Sequence, residues 1–372
     1  MKSTVDVAIV GAGAAGIGMG FILKAIGVKR FVILEKDQIG ASFRQWPKET
    51  RFITPSFYGN PYGYFDLNAV TPASSPAISC DMEHPSGPRY ADYLTMIATK
   101  HQMPIIEQCS VEDVLPQAEG GFTLQTRQGQ GHAKLLIWAT GEYQFPELRP
   151  FPGAGHCLHY ANVETWKTFA CKDVCVIGGY ESGVDAAINM VHVGCKVRLL
   201  IRKAAMSEDS FDPSLTLSPY SRERLKAAIK TGRLELVFSA DITQVSRNNG
   251  WYRIQAKDGR IWLTETRPVL GTGFMGGGGA RQIEKLFNWR EKAVPQLSLT
   301  DESTITPGLF LIGPQVRHDP QVFCFIYKFR QRLAVVATEI AQRLGLVMPL
   351  SNDPYWMTFD ETSGCCDYDC KC

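Results

Sequence analysis

The sequence predicts an α/β fold built from two successive units, each with a parallel sheet and a β-hairpin. An apolar strand, a glycine-rich turn, a helix with apolar periodicity and a second apolar strand follow one another at residues 5–34 and again at residues 174–201. Each run is followed by a hairpin pattern, and each unit ends at a Thr-Gly pair. This repeated order predicts two copies of one dinucleotide-binding, Rossmann-like architecture.

The first unit begins with the strand Val5–Val10 and the turn Gly11–Gly16. In a strand–turn–helix unit, Gly11 allows the tight turn, Gly13 lets a diphosphate approach the backbone, and Gly16 permits close packing of the helix. The N-terminus of that helix stabilises the negative charge of the diphosphate. The turn therefore predicts a dinucleotide site.

The rest of the first unit supports the same site. Helical apolar spacing continues to Ile26, and Gly27 ends the helix. The strand Phe31–Leu34 follows and ends at Glu35, 24 residues after Gly11. A carboxylate at this position accepts hydrogen bonds from ribose hydroxyls.

A hairpin closes the first unit. The strands Phe122–Thr126 and Lys134–Trp138 flank the segment Gln128–Gly131, which is typical of a turn. The unit ends at Ala139-Thr140-Gly141.

The second unit starts with the strand Val174–Ile177 and turns at residues 178–183. Gly178 and Gly183 match the first and third glycines of the pattern, but Tyr180 stands where the middle glycine would let a diphosphate approach closest. A helix continues through Val191. We expect a dinucleotide to fit if this turn opens slightly.

Two basic residues, Arg202 and Lys203, follow the second strand of this unit, Val197–Ile201. Positive charge at this position neutralises a 2′-phosphate, and no carboxylate ends the strand, so the pattern favours NADPH over NADH. The alternative is a solvated strand end without a ligand. A hairpin around Asp258-Gly259 and the segment Gly271-Thr272-Gly273 complete the unit.

The segment that follows the second unit is assigned back to the first unit. It contains the glycine stretch Gly276–Gly279, the strand Leu309–Ile312, Gly313-Pro314, and a helix predicted from about Gln321 to Leu344. Residues from Ser351 onward show no period and are predicted to form an exposed tail.

Composition excludes several classes of protein. Lys plus Arg (39) nearly cancels Asp plus Glu (37), so no net field attracts nucleic acid or an anionic membrane. The first ten residues predict a strand rather than a signal peptide, and no apolar run reaches the ~18 residues of a membrane helix. With eleven cysteines and no secretory signal, we expect a cytoplasmic protein with reduced thiols.

The two glycine turns, Glu35, the segment Trp138–Tyr143 and the strand before Gly313 together resemble the two-dinucleotide-domain flavoproteins. Within that group the sequence is most similar to bacillithiol disulfide reductase-like and thioredoxin reductase-like enzymes, with flavin-containing monooxygenases as near relatives. The resemblance implies FAD on the first unit and NADPH on the second, with NADH possible. It divides the chain into an FAD-binding domain at 1–150 and 276–347, an NAD(P)H-binding domain at 151–275, and a cysteine-rich tail at 348–372.

The resemblance also implies cofactor-binding residues. Those for FAD are Gly11, Gly13, Ala14, Gly16, Glu35, Lys36, Ser42, Trp46, Thr54, Ala139, Thr140, Gly141, Gly313, Gln321 and Val322. Those for the nicotinamide nucleotide are Gly178, Tyr180, Ser182, Gly183, Arg202, Lys203 and Gly273. The N-terminus of the last helix is expected to stabilise the charge of reduced flavin.

The sequence departs from these relatives in the positions of its cysteines and in the residue pair before the last helix. Thioredoxin reductases carry a Cys-x-x-Cys pair in the nicotinamide domain, and this chain has none. Bacillithiol disulfide reductases place a cysteine in the first glycine turn, where this chain has Ala15. The familiar Gly-Asp pair before the last helix is Gly313-Pro314 here.

Four cysteines crowd the last eight residues, and they are the predicted catalytic thiols: Cys365, Cys366, Cys370 and Cys372. A dithiol on a tail can carry electrons from flavin to a bulky acceptor. The alternatives are a soft metal or metalloid site, although no metal site is assigned, and an inert tail. His318 is a further candidate, either as a proton donor or as an anchor for its loop.

These observations predict an FAD-dependent oxidoreductase that takes hydride from NADPH and reduces a disulfide or another small acceptor through the C-terminal cysteines. One alternative is a monooxygenase that activates oxygen. Another, from a different class, is a redox sensor whose tail docks a partner. We expect a small-molecule or thiol/disulfide substrate, no nucleic-acid or membrane partner, and a possible homo-oligomer.

Overall fold

The computed structural model describes residues 4–59, 65–206, 210 and 212–347. The helices are α1 (Ala14–Ala25), α2 (Ala41–Arg44), α3 (Pro76–Cys80), α4 (Gly87–Lys100), α5 (Glu181–His192), α6 (Pro219–Lys230) and α7 (Ile326–Leu344). The strands are β1 (Thr4–Val10), β2 (Phe31–Leu34), β3 (Ile105–Ile106), β4 (Val111–Pro116), β5 (Phe122–Thr126), β6 (Gly129–Trp138), β7 (Leu158–His159), β8 (Asp173–Ile177), β9 (Lys196–Leu200), β10 (Leu234–Val237), β11 (Ile242–Asn248), β12 (Trp251–Ala256), β13 (Ile261–Thr264), β14 (Val269–Leu270), β15 (Trp289–Arg290), β16 (Val294–Pro295), β17 (Leu309–Leu311), β18 (Arg317–His318) and β19 (Gln321–Val322).

The first sheet has the order β3-β2-β1-β6-β5-β4, and β17 also pairs with β6. The strands β1, β2, β3, β6 and β17 pair in parallel, whereas β4, β5 and the first half of β6 form an antiparallel meander. The ten-residue strand β6 therefore belongs to both the parallel and the antiparallel part of the sheet. Its carboxyl end delivers Ala139 and Thr140 beside the glycine turn that follows β1.

The second sheet has the order β10-β9-β8-β14-β7, and all its pairings are parallel. A separate antiparallel sheet, β11-β12-β13, follows β10 in the chain. Each unit thus has a parallel sheet and an antiparallel hairpin or meander, as the sequence predicts.

The core of the first unit packs α1 and α7 on the parallel sheet. In α7, the residues Phe329, Leu333, Val336 and Ile340 recur at helical spacing and are buried, because they face the sheet and α1. Gly18 lets the two helices approach: a Cβ added there would lie 2.9 Å from Leu333 Cδ1.

The last helix begins later than the sequence predicts. Gln321 and Val322, expected at its N-terminus, form β19 and pair antiparallel with β18. Their backbone groups are therefore used in a hairpin, and the helix starts only where the Phe325 carbonyl accepts the N–H groups of Lys328 and Phe329. Among the helices that the structure describes, none is long and apolar enough to cross a membrane.

Candidate functional site

A cavity of about 590 Å³ lies between the two units, at the carboxyl ends of β1, β2 and β6. Fifteen of the residues predicted from sequence line it: Gly11, Gly13, Ala14, Glu35, Lys36, Ser42, Trp46, Thr54, Ala139, Thr140, Gly141, Tyr180, Ser182, Gly273 and Val322. The fold thus brings residues of both predicted nucleotide sites to one continuous space.

The first glycine turn presents bare backbone to this cavity. Gly11 has φ +108°, and a Cβ added at Gly16 would lie 1.9 Å from the Gly11 oxygen, so both positions require glycine. A Cβ added at Gly13 would meet no atom within 4 Å. Gly13 provides no side chain to cap α1, so the first N–H groups of the helix remain available to an anion.

Glu35 lies at one end of the cavity and is almost fully buried. Its two carboxylate oxygens accept the N–H groups of Ala12 at 2.7 Å and Asp37 at 2.9 Å. Burial raises the pKa of this carboxyl group, and the two backbone donors partly oppose that shift. Each oxygen retains accepting capacity for a hydroxyl of a ligand.

Sequence reasoning missed the residues that face Glu35 across this end of the cavity. Cys109, Ser110 and Val111 line it, and the Cys109 N–H donates to the Glu35 carbonyl over 2.8 Å. Cys109 and Ser110 come from the connection between β3 and β4, Val111 is the first residue of β4, and no motif in this segment identifies them.

Polar groups near the carboxyl end of β6 are also available to a ligand. Thr140 Oγ1 is buried and has no hydrogen-bond partner among the described atoms. Glu142, another lining residue that sequence reasoning did not select, accepts a hydrogen bond from Gln315 Nε2. Burial raises the pKa of Glu142, while nearby Arg317 and the Gln315 donor lower it. A carboxyl group in this environment can hold or release a proton nearer neutral pH than an exposed one.

Aromatic side chains form the wall beside α2. Trp46 lies 4.9 Å from Phe52, between ring centroids, and 6.3 Å from Tyr143. Ser42 and Thr54 line the same region. This wall offers aromatic rings, tilted against one another, on which a ring system can pack.

The second glycine turn faces the cavity from the other unit. Tyr180 precedes α5 as its N-cap residue and lines the cavity together with Ser182. Glu181 is turned toward α6, because its carboxylate accepts Ser218 N–H at 2.6 Å and Ser221 Oγ at 2.5 Å.

Arg202 and Lys203 lie outside the cavity lining, exposed just beyond β9. Within the described part of the chain neither side chain has an ion-pair partner. No carboxylate among the described residues therefore neutralises either cation.

The remaining predicted residues do not line the cavity. Gly16, Gly178 and Gly183 lie beneath the two turns, Gly313 packs near Ala15, and Gln321 is exposed on β19.

His318 does not line the cavity. Its Nε2 lies 2.5 Å from Oδ1 of Asp301, a fully buried carboxylate that also accepts Arg332 Nε at 3.0 Å. This geometry favours the anchoring alternative over the proton donor. The cysteines Cys365, Cys366, Cys370 and Cys372 lie outside the described residues, and within those residues no group of three or more His, Cys, Asp and Glu could hold a metal ion.

The motif order and the cavity agree with a comparison against protein families. Residues 8–313 match the family described as pyridine nucleotide-disulphide oxidoreductases. The chain belongs to this family. It is a flavoprotein oxidoreductase whose cofactors are FAD and NAD(P)H.

Individual relatives extend over nearly the whole chain. The bacilliredoxin reductase Bdr of Bacillus subtilis is 23% identical over 337 residues, covering 90% of this chain and 97% of the relative. A ferredoxin–NADP reductase of Rhodopseudomonas palustris is 25% identical, covering 83% of this chain and 82% of the relative.

Two solved structures show the same fold. The bacillithiol disulfide reductase Bdr of Bacillus cereus has a TM-score of 0.74 at 21% identity, covering 92% of this chain and all of that one. A flavin-containing monooxygenase from Stenotrophomonas maltophilia has a TM-score of 0.73 at 18% identity, covering 92% and 99%. The fold is therefore shared by reductases and monooxygenases.

The residues of the oxidoreductase fit FAD. The open space at Gly13, the uncapped start of α1 and the unpartnered Thr140 Oγ1 are features that a bound dinucleotide would use. When bound, FAD supplies two-electron chemistry, and the protein supplies orientation and electrostatics.

Proposed function

We propose that this oxidoreductase takes hydride from NADPH onto FAD and reduces a disulfide through its C-terminal cysteines. The observation that carries the proposal is the single cavity shared by both turns, since Gly13 and Ser182 line the same space. Two cofactors held on these turns can meet there, which direct hydride transfer requires. The overall change is NADPH, a proton and a disulfide giving NADP⁺ and two thiols.

The preference for NADPH rests on Arg202 and Lys203. Both side chains are exposed at the carboxyl end of β9, where the 2′-position of an adenosine ribose lies in Rossmann-like units. No acidic side chain follows this strand to accept ribose hydroxyls. Charge at this position favours a phosphorylated ribose.

A disulfide acceptor is supported by the names of two relatives that span nearly the full chain, a bacilliredoxin reductase and a bacillithiol disulfide reductase. The sequence has no Cys-x-x-Cys pair, and Ala15 stands where bacillithiol disulfide reductases place a cysteine. Of the described cysteines, Cys109 and Cys324 line the cavity, and burial raises the pKa of Cys324 and so disfavours its thiolate.

The number of residues in the tail is large enough for its thiols to reach the cavity. The helix α7 has 19 residues and is about 28 Å long at 1.5 Å per residue, with its N-terminal end at the cavity. Cys365 follows Val347 by 18 residues (365 − 347), and a chain of that number spans up to about 60 Å. The contour length therefore permits the tail thiols to reach the cavity.

The test removes the residues after Ser363, which include all four tail cysteines. We expect flavin content and the rate of NADPH-dependent flavin reduction to stay unchanged, while turnover with a disulfide collapses. A variant with the four cysteines replaced by serine keeps the chain length and should lose the same activity.

The other outcomes separate the alternatives. Full disulfide turnover in both variants would overturn the proposed role of the tail. A loss of bound metal with disulfide turnover unchanged would indicate a metal-binding tail. NADPH consumption that requires oxygen and hydroxylates a substrate would indicate a monooxygenase. The absence of sustained NADPH oxidation with every acceptor would favour a sensor.

A further inference from the structure

We infer that the side chain of Tyr180 occupies the diphosphate position of the second turn and thereby limits the affinity for NAD(P)H. This inference rests on the proposed use of the second turn by the nicotinamide nucleotide. Under this inference Tyr180 limits the affinity for the nucleotide, whereas the sequence pattern predicts only that Tyr180 contacts the nucleotide.

The two glycine turns have the same backbone geometry at their first positions. Gly11 has φ +108° and Gly178 has φ +117°. A Cβ added at Gly11 would lie 2.5 Å from the Ala139 oxygen, and one added at Gly178 would lie 2.3 Å from the Gly271 oxygen. Each turn therefore packs against the strand end beside it in the same way.

The third positions agree as well. A Cβ added at Gly16 would lie 1.9 Å from the Gly11 oxygen, and one added at Gly183 would lie 1.9 Å from the Gly178 oxygen. The turns thus share one backbone geometry, and the middle positions can be compared directly.

The middle positions are Gly13 and Tyr180, the N-cap residues of α1 and α5. Their backbones are alike, with φ and ψ of −80° and −168° at Gly13 and −113° and −169° at Tyr180. At Gly13 the Cβ direction points into open space, which is the space a diphosphate uses. At Tyr180 a phenol ring begins in that direction, and the residue lines the cavity with 42% of its surface exposed.

The ring is held where it lies. The Tyr180 hydroxyl lies within hydrogen-bond distance of two carbonyl oxygens, those of Ser214 at 2.9 Å and Thr216 at 2.8 Å, and its one proton can be donated to either. The segment that carries these carbonyls is fixed to the first unit, because Lys328 Nζ donates to Asp212 Oδ1 at 2.8 Å and to Ser214 Oγ at 2.9 Å. Movement of the ring therefore breaks the hydrogen bonds of its hydroxyl.

A nucleotide that needs this position must first displace the ring. The apparent affinity of such a ligand falls by the fraction of molecules in which the position is open. Removing the ring should raise that fraction to one, and removing the hydroxyl alone should raise it partly.

The test is the dissociation constant of NADP⁺, measured by calorimetry on the flavin-loaded protein. We expect Tyr180→Gly to bind roughly fivefold to tenfold more tightly than the wild type, and Tyr180→Phe to lie between them. Glycine is tolerated at an N-cap, and Tyr180→Ser supplies a second small residue with good capping ability. The control is Leu215→Ala, an exposed residue of the same segment, which should leave the constant unchanged.

Each other result overturns the inference. Weaker binding by Tyr180→Gly and Tyr180→Ser would show that the ring contacts the nucleotide favourably, and equal binding would show that it lies off the path. Because the measurement involves no acceptor, failure of the disulfide proposal leaves it intact. Absence of NADP⁺ binding in the wild type and in both small variants would overturn this inference and the nucleotide site of the proposed function together.

Discussion

Thr50 and Asp185 join the two units at the floor of the cavity: Thr50 Oγ1 donates to Asp185 Oδ2 over 2.8 Å. The Tyr160 hydroxyl donates to the same oxygen at 2.9 Å, and Arg224 Nη1 donates to the other oxygen at 3.0 Å. Asp185 is buried, so its carboxylate oxygens rely on these three donors for their hydrogen bonds. The link fixes the first unit against the second where the two cofactors are proposed to meet.

We predict that Thr50→Val destabilises the protein by about 1–3 kcal/mol, because it leaves a buried carboxylate with one donor fewer. Urea unfolding of the flavin-loaded protein measures this change. Thr243→Val, on the exposed face of β11, is the matched control and should have little effect. If Thr50→Val changed the free energy of unfolding as little as Thr243→Val does, the link would contribute nothing to stability.

We predict that Gly13→Val produces a folded protein without flavin. A side chain at Gly13 meets no protein atom at its Cβ, so it fills the cavity without disturbing the turn. Circular dichroism should be unchanged while flavin absorbance is lost. Gly16→Ala provides the contrast, because its Cβ would lie 1.9 Å from the Gly11 oxygen and should impair folding itself. Wild-type flavin content in Gly13→Val would refute the assignment of the first site.

We predict that neutralising both Arg202 and Lys203 with Gln raises KM for NADPH by roughly tenfold or more, since charge-assisted hydrogen bonds to a phosphate are lost. The KM for NADH should change little, because NADH has no 2′-phosphate. Steady-state assays with both nucleotides and one acceptor measure the ratio. An equal loss with NADPH and NADH would place these residues at the shared diphosphate or in the fold instead.

We predict a change in the pH dependence of stability for Glu142→Gln. Burial raises the pKa of Glu142 above the ordinary 4.5, so the folded state binds the proton more tightly than the unfolded state. The contribution of Glu142 to the free energy of unfolding is therefore complete below pH 4.5 and is lost as the pH rises through the raised value. The variant should lose less stability than the wild type between pH 4 and pH 7.

Urea unfolding at several pH values measures the difference, and the other buried carboxyl groups are common to both proteins. Thr243→Val, which removes no titratable group, should keep the wild-type slope. A wild-type slope in Glu142→Gln would show that Glu142 does not titrate in this range.

Much of the fold follows from local rules that a sequence displays. The strand, glycine turn and helix of each unit have short-range spacing, and Gly11, Gly16, Gly178 and Gly183 are required by contacts within their own turns or with an adjacent strand end. The helix α4 lies outside the repeated strand–turn–helix order, and the repeat does not predict it. The predicted start of α7 at Gln321 is five residues too early, because apolar spacing does not reveal that β18 and β19 pair with each other.

Local patterns in the chain are enough to predict the two dinucleotide units and the residues that follow their strands, since strand ends and turns are defined by neighbours in the chain. The folded structure is needed to identify the distant side chains that complete the site. Thr50 and Asp185 are 135 residues apart, and Glu142 and Gln315 are 173 apart. Thr50 and Asp185 meet because the two units face each other around the cavity, whereas Glu142 and Gln315 meet because they follow the adjacent parallel strands β6 and β17 of one sheet.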